Sequence, residues 1–484
     1  MVETTKLGER YKITNLRFKM SARSRGRSID RGINVEIDLN KRYQSFLGWG
    51  GAFTDAFGYV LGGLSDVTQG TLMKSYFAQD GLRYNFGRVH IGGCDFSLRN
   101  YSLDDLPDGQ VDYNLTKWSL AYEDYHYKIP VIKAAQKLRR SHATDDLKLY
   151  GSSWSPPAWM KDNHNLVRGH LIDDPKIYQA YADYLVKFYL AYREQLGFDF
   201  WGGTVQNEPG GAFFPGYYFN SLELGVRQTQ LLVGQYLGPT LARNGFTKDK
   251  FKLMIGDDVL GLINYLVPAI MADKDVQKYI SGLAFHWYAS GWQVPYDMLD
   301  ECAEQISDKI DFLLMTEACA GWKKWLEVPV DLGSWDRGES YAVDIMQDVL
   351  RNSSGWVDWN LALRMDGGPN WANNTVDSPI IVNKEANEFY KQPMFYVLGH
   401  FSRFFLPGAI RVETEPSTGN FEDPFMLVAA LNPKEDVLAV NVLNRHDHPI
   451  KINLNVKNTP GNPNYTLNDL QLQPRSINTI TLKL

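Results

Sequence analysis

Between residues 46 and 402 the chain alternates eight times between a short apolar run and a longer stretch with helical periodicity. The runs occupy 46–53, 82–90, 147–153, 198–206, 251–256, 280–288, 312–317 and 355–363. The helical stretches cover 66–79, 118–139, 175–196, 223–244, 259–279, 296–310, 341–352 and 385–402. Parallel strands need a crossover, and right-handed crossovers close them in chain order, so this pattern predicts a (β/α)8 barrel. An open doubly wound sheet would carry a glycine-rich phosphate turn after its first strand. Gly48-Trp49-Gly50-Gly51 lacks the G-x-G-x-x-G spacing.

The flanks have a different texture. Residues 11–20 and 33–39 alternate apolar and polar with period two and read as paired strands. The basic stretch 23–31 between them reads as a solvated turn, with contact to anionic lipid as the alternative. Beyond residue 408, strands are expected at 409–415, 425–431, 437–443, 449–456 and 477–484, separated by Gly, Pro and Asn turns. This is the pattern of a β-sandwich. The N-terminal strands need an apolar partner and are expected to join it. The expected domains are therefore 1–45 and 405–484 as a discontinuous all-β sandwich, with 46–404 as the catalytic barrel.

Composition narrows the function. A net charge of −6 argues against a nucleic-acid surface. The 13 Trp, 27 Tyr and 24 Phe exceed what a core needs and suit a cleft in which rings stack on sugars. Three cysteines, at 94, 302 and 319, cannot build a disulfide framework and read as buried thiols. No apolar run is long enough for a transmembrane helix. The polar N-terminus means either an intracellular protein or one whose signal peptide has been removed. Sequons at Asn114, Asn352, Asn373 and Asn464 favour export and a glycoprotein.

Two of the eight runs end on a glutamate. The fourth leads into Gln206-Asn207-Glu208-Pro209, and the seventh ends Met315-Thr316-Glu317. In a barrel, strand ends share one mouth, and strands four and seven lie across it from each other. Glycoside hydrolysis needs one carboxyl group to protonate the leaving oxygen and one to attack or to activate water. Either glutamate alone reads as a cap or a surface ion pair; the two together point to a glycosidase. Arg88, at the end of the second run, is expected to sit against Glu317 and keep it ionised. Asp95, Trp154, His286, Tyr288 and Trp359 also fall on or near run ends and would ring a monosaccharide pocket, while Asn207 would hold a sugar hydroxyl. Other chemistries find no support. There is no H-E-x-x-H or clustered ligand spacing for a metal, no G-x-S-x-G, and no base near Cys319. No cofactor or metal is expected.

Several blocks resemble the acid β-glucosidases, or glucosylceramidases, of glycoside hydrolase family 30. They include Cys94-Asp-Phe-Ser-Leu-Arg99, Gln206-Asn-Glu-Pro209, His286-Trp-Tyr288, Thr316-Glu-Ala-Cys319, Asp358-Trp-Asn-Leu-Ala-Leu363, Gly367-Gly-Pro-Asn-Trp371 and Val376-Asp-Ser-Pro-Ile-Ile-Val382. The resemblance covers about residues 45–445. It implies a barrel with a flanking β-sandwich and a retaining β-glucosidase that cleaves glucosylceramide to glucose and ceramide through a covalent glucosyl-enzyme. By position it makes Glu208 the acid/base and Glu317 the nucleophile. Asp95, Trp154, Asn207, Trp359 and Asn374 would line the glucose pocket, with Tyr288 near the nucleophile. It further implies a lysosomal or secreted protein, contact with an anionic lipid surface and a saposin-type activator. The cysteine-rich N-terminal segment of the family's animal members has no counterpart here, which leaves the activator and membrane contacts open. The aromatic loop 210–219 also departs from the family and reads equally as a lipid-facing lip or a packed loop. The alternatives are a family-30 hydrolase of β-1,6-glucan or β-xylan, and an inactive sugar- or lipid-binding homologue.

Overall fold

The structure, a computed structural model, describes residues 1–21, 32–143, 145–211, 217–416, 423–459 and 461–484. The basic stretch 23–31 and the central part of the 210–219 loop lie outside the described residues. The chain divides into two compact units. One comprises Trp49–Asp331 and Trp356–Tyr390, the other Met1–Gly48, Leu332–Gly355 and Lys391–Leu484.

The barrel strands are Gly48–Ala52, Phe86–Ile91, Lys148–Ser153, Gly202–Thr204, Lys252–Val259, Ile280–His286, Phe312–Glu317 and Ser353–Asn360, closed in chain order. Each falls within or overlaps one of the eight apolar runs. Phe86–Ile91 is buried along its whole length, as expected where side chains of one strand face the barrel interior and the helical ring alternately. The helix Pro175–Leu196 shows how local sequence sets an element. Asp174 caps it by accepting from the Lys176 amide, Pro175 starts it, and Gly197 ends it at φ 76°. Ile177, Tyr181, Tyr184, Leu185, Phe188 and Tyr192 form its buried stripe. This helix lies close to the fourth strand, because a Cβ on Gly203 would sit 2.2 Å from the Tyr189 hydroxyl.

The other unit holds a ten-stranded sheet. Its two ends in hydrogen-bonding order are Lys12–Ile13 and Lys19–Ser21. Only five residues separate Ile13 from Lys19, a reach of at most about 20 Å. The sheet must therefore fold over to bring its edges together, and it encloses a core that includes Val35, Ile37, Leu427, Val440, Leu454 and Ile480. The expected sandwich is thus one continuous sheet turned on itself. No helix among the described residues is long and apolar enough to cross a membrane.

Several elements differ from the sequence reading. Residues 11–20 and 33–39 do not pair with each other. Ile33–Ser45 lies between Ile410–Glu415 and Ile450–Lys457, because its buried Val35, Ile37 and Leu39 belong inside the sheet's core. The largely exposed 11–20 segment supplies only the two edge pieces. The expected helix 385–402 begins only at Pro393. Proline disfavours helical backbone at the residue before it, and Glu388–Lys391 is a strand. Asn464–Leu472 is a strand that the sequence hid, since a register shift opposite 452–454 breaks its alternation. A further helix, Asp55–Gly62, follows the first barrel strand.

The close approach at Gly203 is testable. Gly203→Ala should destabilise the protein by about 1–3 kcal/mol through overpacking, and Tyr189→Phe should recover part of that loss by removing the hydroxyl. Thermal unfolding of the two single variants and the double variant measures the coupling; strictly additive effects would contradict it.

Candidate active site

The site is organised on Asp257, at the end of the fifth strand and fully buried. Its Oδ2 accepts from Arg88 Nη2 at 2.9 Å, Ser152 Oγ at 2.7 Å and Thr204 Oγ1 at 2.7 Å. Its Oδ1 accepts from His286 Nε2 at 3.0 Å and Thr316 Oγ1 at 2.8 Å. The donors come from the second, third, fourth, sixth and seventh strands, so one carboxylate ties together six consecutive strands of the barrel. Asp257 holds φ 58°, a left-handed conformation that an aspartate enters only at some cost. Burial would raise its pKa, but Arg88, His286 and Ser152 hold it far below the carboxylate range.

Arg88, buried in the barrel, spans the site. Nη1 donates to Glu317 Oε2, and Nη2 donates to Asn207 Oδ1 at 2.7 Å as well as to Asp257. Its guanidinium lies 4.7 Å from the Trp154 ring and 5.4 Å from Trp359. Those two rings stack at 5.2 Å with planes 18° apart. Glu317 Oε1 accepts from the Tyr288 hydroxyl at 2.8 Å. Both oxygens of Glu317 thus face donors.

Glu208 lies four residues beyond the hydrogen-bonded end of the fourth strand, which stops at Thr204. It is held at φ 42°, with its amide donating to the Asp257 carbonyl at 2.9 Å. His286 Nδ1 meets Glu208 Oε1 at 3.0 Å, and the Tyr217 hydroxyl donates to Oε2. Burial would lower the His286 pKa, but Glu317, Asp257 and Glu208 raise it to about 10. The ring is therefore a cation, and both nitrogens donate. Side-chain atoms of Glu208, His286 and Glu317 lie within 4.8 Å of one another. A metal there would have to compete for an imidazole with no free lone pair and for carboxylates already held by Arg88 and by two tyrosines.

Asp95 accepts from Asn374 Nδ2 at 2.9 Å and Asn370 Nδ2 at 3.2 Å. Burial, opposed by Asn374 and reinforced by the charge on Glu317, pushes it up to about 7. Asp258 accepts from the amides of Gly210 at 2.8 Å and Gly211 at 3.1 Å, and so pins the segment after Glu208. Burial and the nearby Glu208 charge push it up to about 7 too. Burial is also the largest influence on Glu317 and raises it, against His286 and Arg88 and with the charge on Glu208.

Of the ten residues singled out from the sequence, Arg88, Glu317, Asn207, Trp154, Trp359, Tyr288, His286 and Glu208 are linked by direct contacts, while Asp95 and Asn374 pair with each other and feel the glutamates only through charge. Asp257, Asp258 and Tyr217 were not among them. Asp257 and Asp258 carried one usable signal, two acids just after the end of the fifth apolar run. Tyr217 carried none beyond lying in an aromatic loop.

Carboxyl groups at barrel strand ends, a buried arginine between them and stacked tryptophans beside them belong to a carbohydrate-cleaving barrel, and the comparisons with known proteins agree. Residues 46–405 match the glycosyl hydrolase family 30 TIM-barrel domain. The chain belongs to that family and is a glycoside hydrolase. It is 41% identical over 409 residues to putative glucosylceramidase 3 of Caenorhabditis elegans, covering 84% of this chain and 75% of that one. It is 38% identical over 426 residues to lysosomal acid glucosylceramidase of Mus musculus, covering 87% and 79%. Among solved structures, SrfJ from Salmonella typhimurium superposes with a TM-score of 0.84 at 27% identity, covering 100% of this chain and 99% of that one.

These charges set a pH dependence of stability. Asp95 and Asp258 are held up at about 7 in the folded protein, against about 4 in the unfolded chain. The unfolded state gives up those protons first, so stability falls as pH rises between these values. His286, raised to about 10, contributes stability that is complete below its unfolded pKa of about 6.5 and lost above it. Asp257, depressed, contributes stability that is lost as pH falls below about 4. The thermal midpoint should therefore be higher at pH 5 than at pH 7.5. Asp258→Asn should narrow that gap, and a higher midpoint at pH 7.5 would contradict the assignment.

Proposed function

We propose that the protein is a retaining β-glucosidase that hydrolyses glucosylceramide to glucose and ceramide. The observation that carries this reading is the separation of the two glutamates, whose nearest ligand atoms lie within 4.8 Å. Retaining enzymes hold their carboxyl groups about 5–5.5 Å apart, while inverting enzymes leave about 6.5–9.5 Å for a water. In the first step Glu317 attacks the anomeric carbon as the bond to the leaving oxygen breaks, and Glu208 gives that oxygen a proton. In the second, Glu208 takes a proton from water, which displaces Glu317 and releases glucose with its configuration retained.

The charge balance supports this division. Arg88 and His286 face three carboxylates, Asp257, Glu208 and Glu317, so one proton shared by the glutamates leaves the group neutral. Arg88 can only donate, which favours Glu317 as the ionised partner and nucleophile. Glu208 is then the member that carries the proton when substrate binds. Asn207, held by Arg88, is suited to the sugar's 2-hydroxyl. Trp154 and Trp359 offer ring faces, and Asp95 with Asn374 offers a second polar contact.

A lipid aglycone is favoured by the rim. Trp322 lies 5.5 Å from Tyr288, and Trp325 and Trp292 extend outward from it at 6.1 and 6.3 Å. Trp325, Leu326 and Val328 are 65%, 66% and 60% exposed, and Lys323 and Lys324 lie among them. A soluble enzyme exposes such a patch for a partner; here an anionic lipid surface suits both the rings and the lysines. The lysosomal setting in the name of the mouse relative is proposed for this protein as well, and with it an acidic working pH. The saposin-type activator is the remaining part of that proposal. The sandwich domain is proposed to comprise 1–45 and 405–484, with 46–404 as the catalytic barrel.

Two measurements test the reading. An activated 2-deoxy-2-fluoro-β-glucoside should add one sugar mass to the peptide containing Glu317 and none to a Glu317→Gln protein, which should also be inactive. Glucosylceramide in detergent with anionic phospholipid at pH 5 should be cleaved well in preference to β-1,6-glucan or β-xylan. A preference for either polymer would assign the other family-30 activity, and no hydrolysis of any aryl β-glucoside would leave a binding protein.

A further inference from the structure

The segment after Glu208 is fastened at both ends by buried titratable groups. At its start, Asp258 accepts from the Gly210 and Gly211 amides. At its far end, Lys161, buried and cut off from solvent, donates from Nζ to the Ser221 carbonyl at 2.6 Å and to Ser155 Oγ at 3.1 Å. The Ser221 amide donates to the Leu166 carbonyl at 3.0 Å. Tyr217 stands between these anchors. Its ring packs on Phe219 at 4.3 Å, and its hydroxyl donates to Glu208 Oε2.

The two oxygens of Glu208 are thus unequal. Oε1 is held by the His286 cation, itself fixed by Asp257. Among the described residues, Oε2 is held by the phenol alone. A proton can be passed only over hydrogen-bond distance, and of the two oxygens Oε2 is the one whose partner can be displaced without breaking the Asp257 network.

We propose that Tyr217 is a positioning residue for Glu208: its hydroxyl holds Oε2 in the empty and glucosyl-enzyme states and gives way to the leaving oxygen when the aglycone binds. The inference rests on Glu208 being the acid/base. In the first half-reaction the leaving oxygen takes the place of the phenol at Oε2. Once ceramide has left and Glu208 is a carboxylate, the phenol donates to it again and orients it toward the incoming water. Tyr217 itself gains and loses no proton. Among the described residues, the groups facing Glu208 are His286, Tyr217, Asp258, Glu317 and Tyr288, with Asp95 further off and Asp257 and Arg88 behind His286 and Glu317.

Tyr217→Phe separates this role from simple packing. A phenol donating to a carboxylate favours the ionised form, so its loss should move the basic limb of kcat/KM to higher pH, by about one unit. With a 2,4-dinitrophenyl β-glucoside, whose leaving group needs no acid, kcat/KM should stay within about twofold of the parent. kcat should fall about tenfold because the second step then limits, and azide should restore it. Glu208→Gln is assayed alongside. If azide fails to restore Glu208→Gln on this substrate, the acid/base assignment itself fails. If azide restores Glu208→Gln while Tyr217→Phe keeps the parent's basic limb and kcat, the role of Tyr217 is overturned. Equal losses in kcat and kcat/KM with an unmoved limb would make Tyr217 a packing residue and overturn it as well.

Discussion

The ion pair between Arg88 and Asp257 is the constraint on which the rest of the site depends. Both groups are fully buried inside the barrel, where a charge without partners would cost several kcal/mol. The fold meets that cost by converging small polar side chains on them. Ser152, Thr204 and Thr316 stand on three different strands and all donate to Asp257. The same arginine then reaches Glu317 and Asn207, and the same aspartate fixes His286, which reaches Glu208. Each glutamate is therefore linked to one shared scaffold, through a cation that cannot move without exposing a buried charge. The carboxyl pair is preorganised by this network rather than by its own packing.

This network bears directly on the proposed chemistry. Two cations against three carboxylates leave room for one proton, and the hydrogen-bond partners divide the labour between the glutamates. The short distance between them supports the proposed attack by Glu317 over activation of a separate water. The stacked Trp154 and Trp359 cover the guanidinium with ring surface beside a highly charged centre.

Much of this was legible in the sequence because it depended on periodicity and on strand order. Eight runs and eight helical stretches sufficed for the barrel, and the positions of Glu208 and Glu317 on the fourth and seventh runs sufficed to set them across one mouth. What stayed hidden depends on tertiary convergence. Ser152, Thr204 and Thr316 are ordinary strand residues until Asp257 draws them together, and nothing local announces that Asp257 takes a left-handed backbone. The strand at 464–472 escaped because a register shift breaks the alternation by which strands are read. The last helix is shorter than its apolar pattern suggests because Pro393 disfavours helical backbone at Gln392. The 11–20 segment misled because its alternation is real but serves two sheet edges instead of one hairpin.

The central claim is that Glu317 and Glu208 act as a double-displacement pair. The most direct test follows an aryl β-glucoside hydrolysis by proton NMR and reads the anomer that forms first. The account predicts β-glucose at the outset, with the α anomer growing in only at the rate of mutarotation. First-formed α-glucose would mean a single displacement by water, and would contradict it.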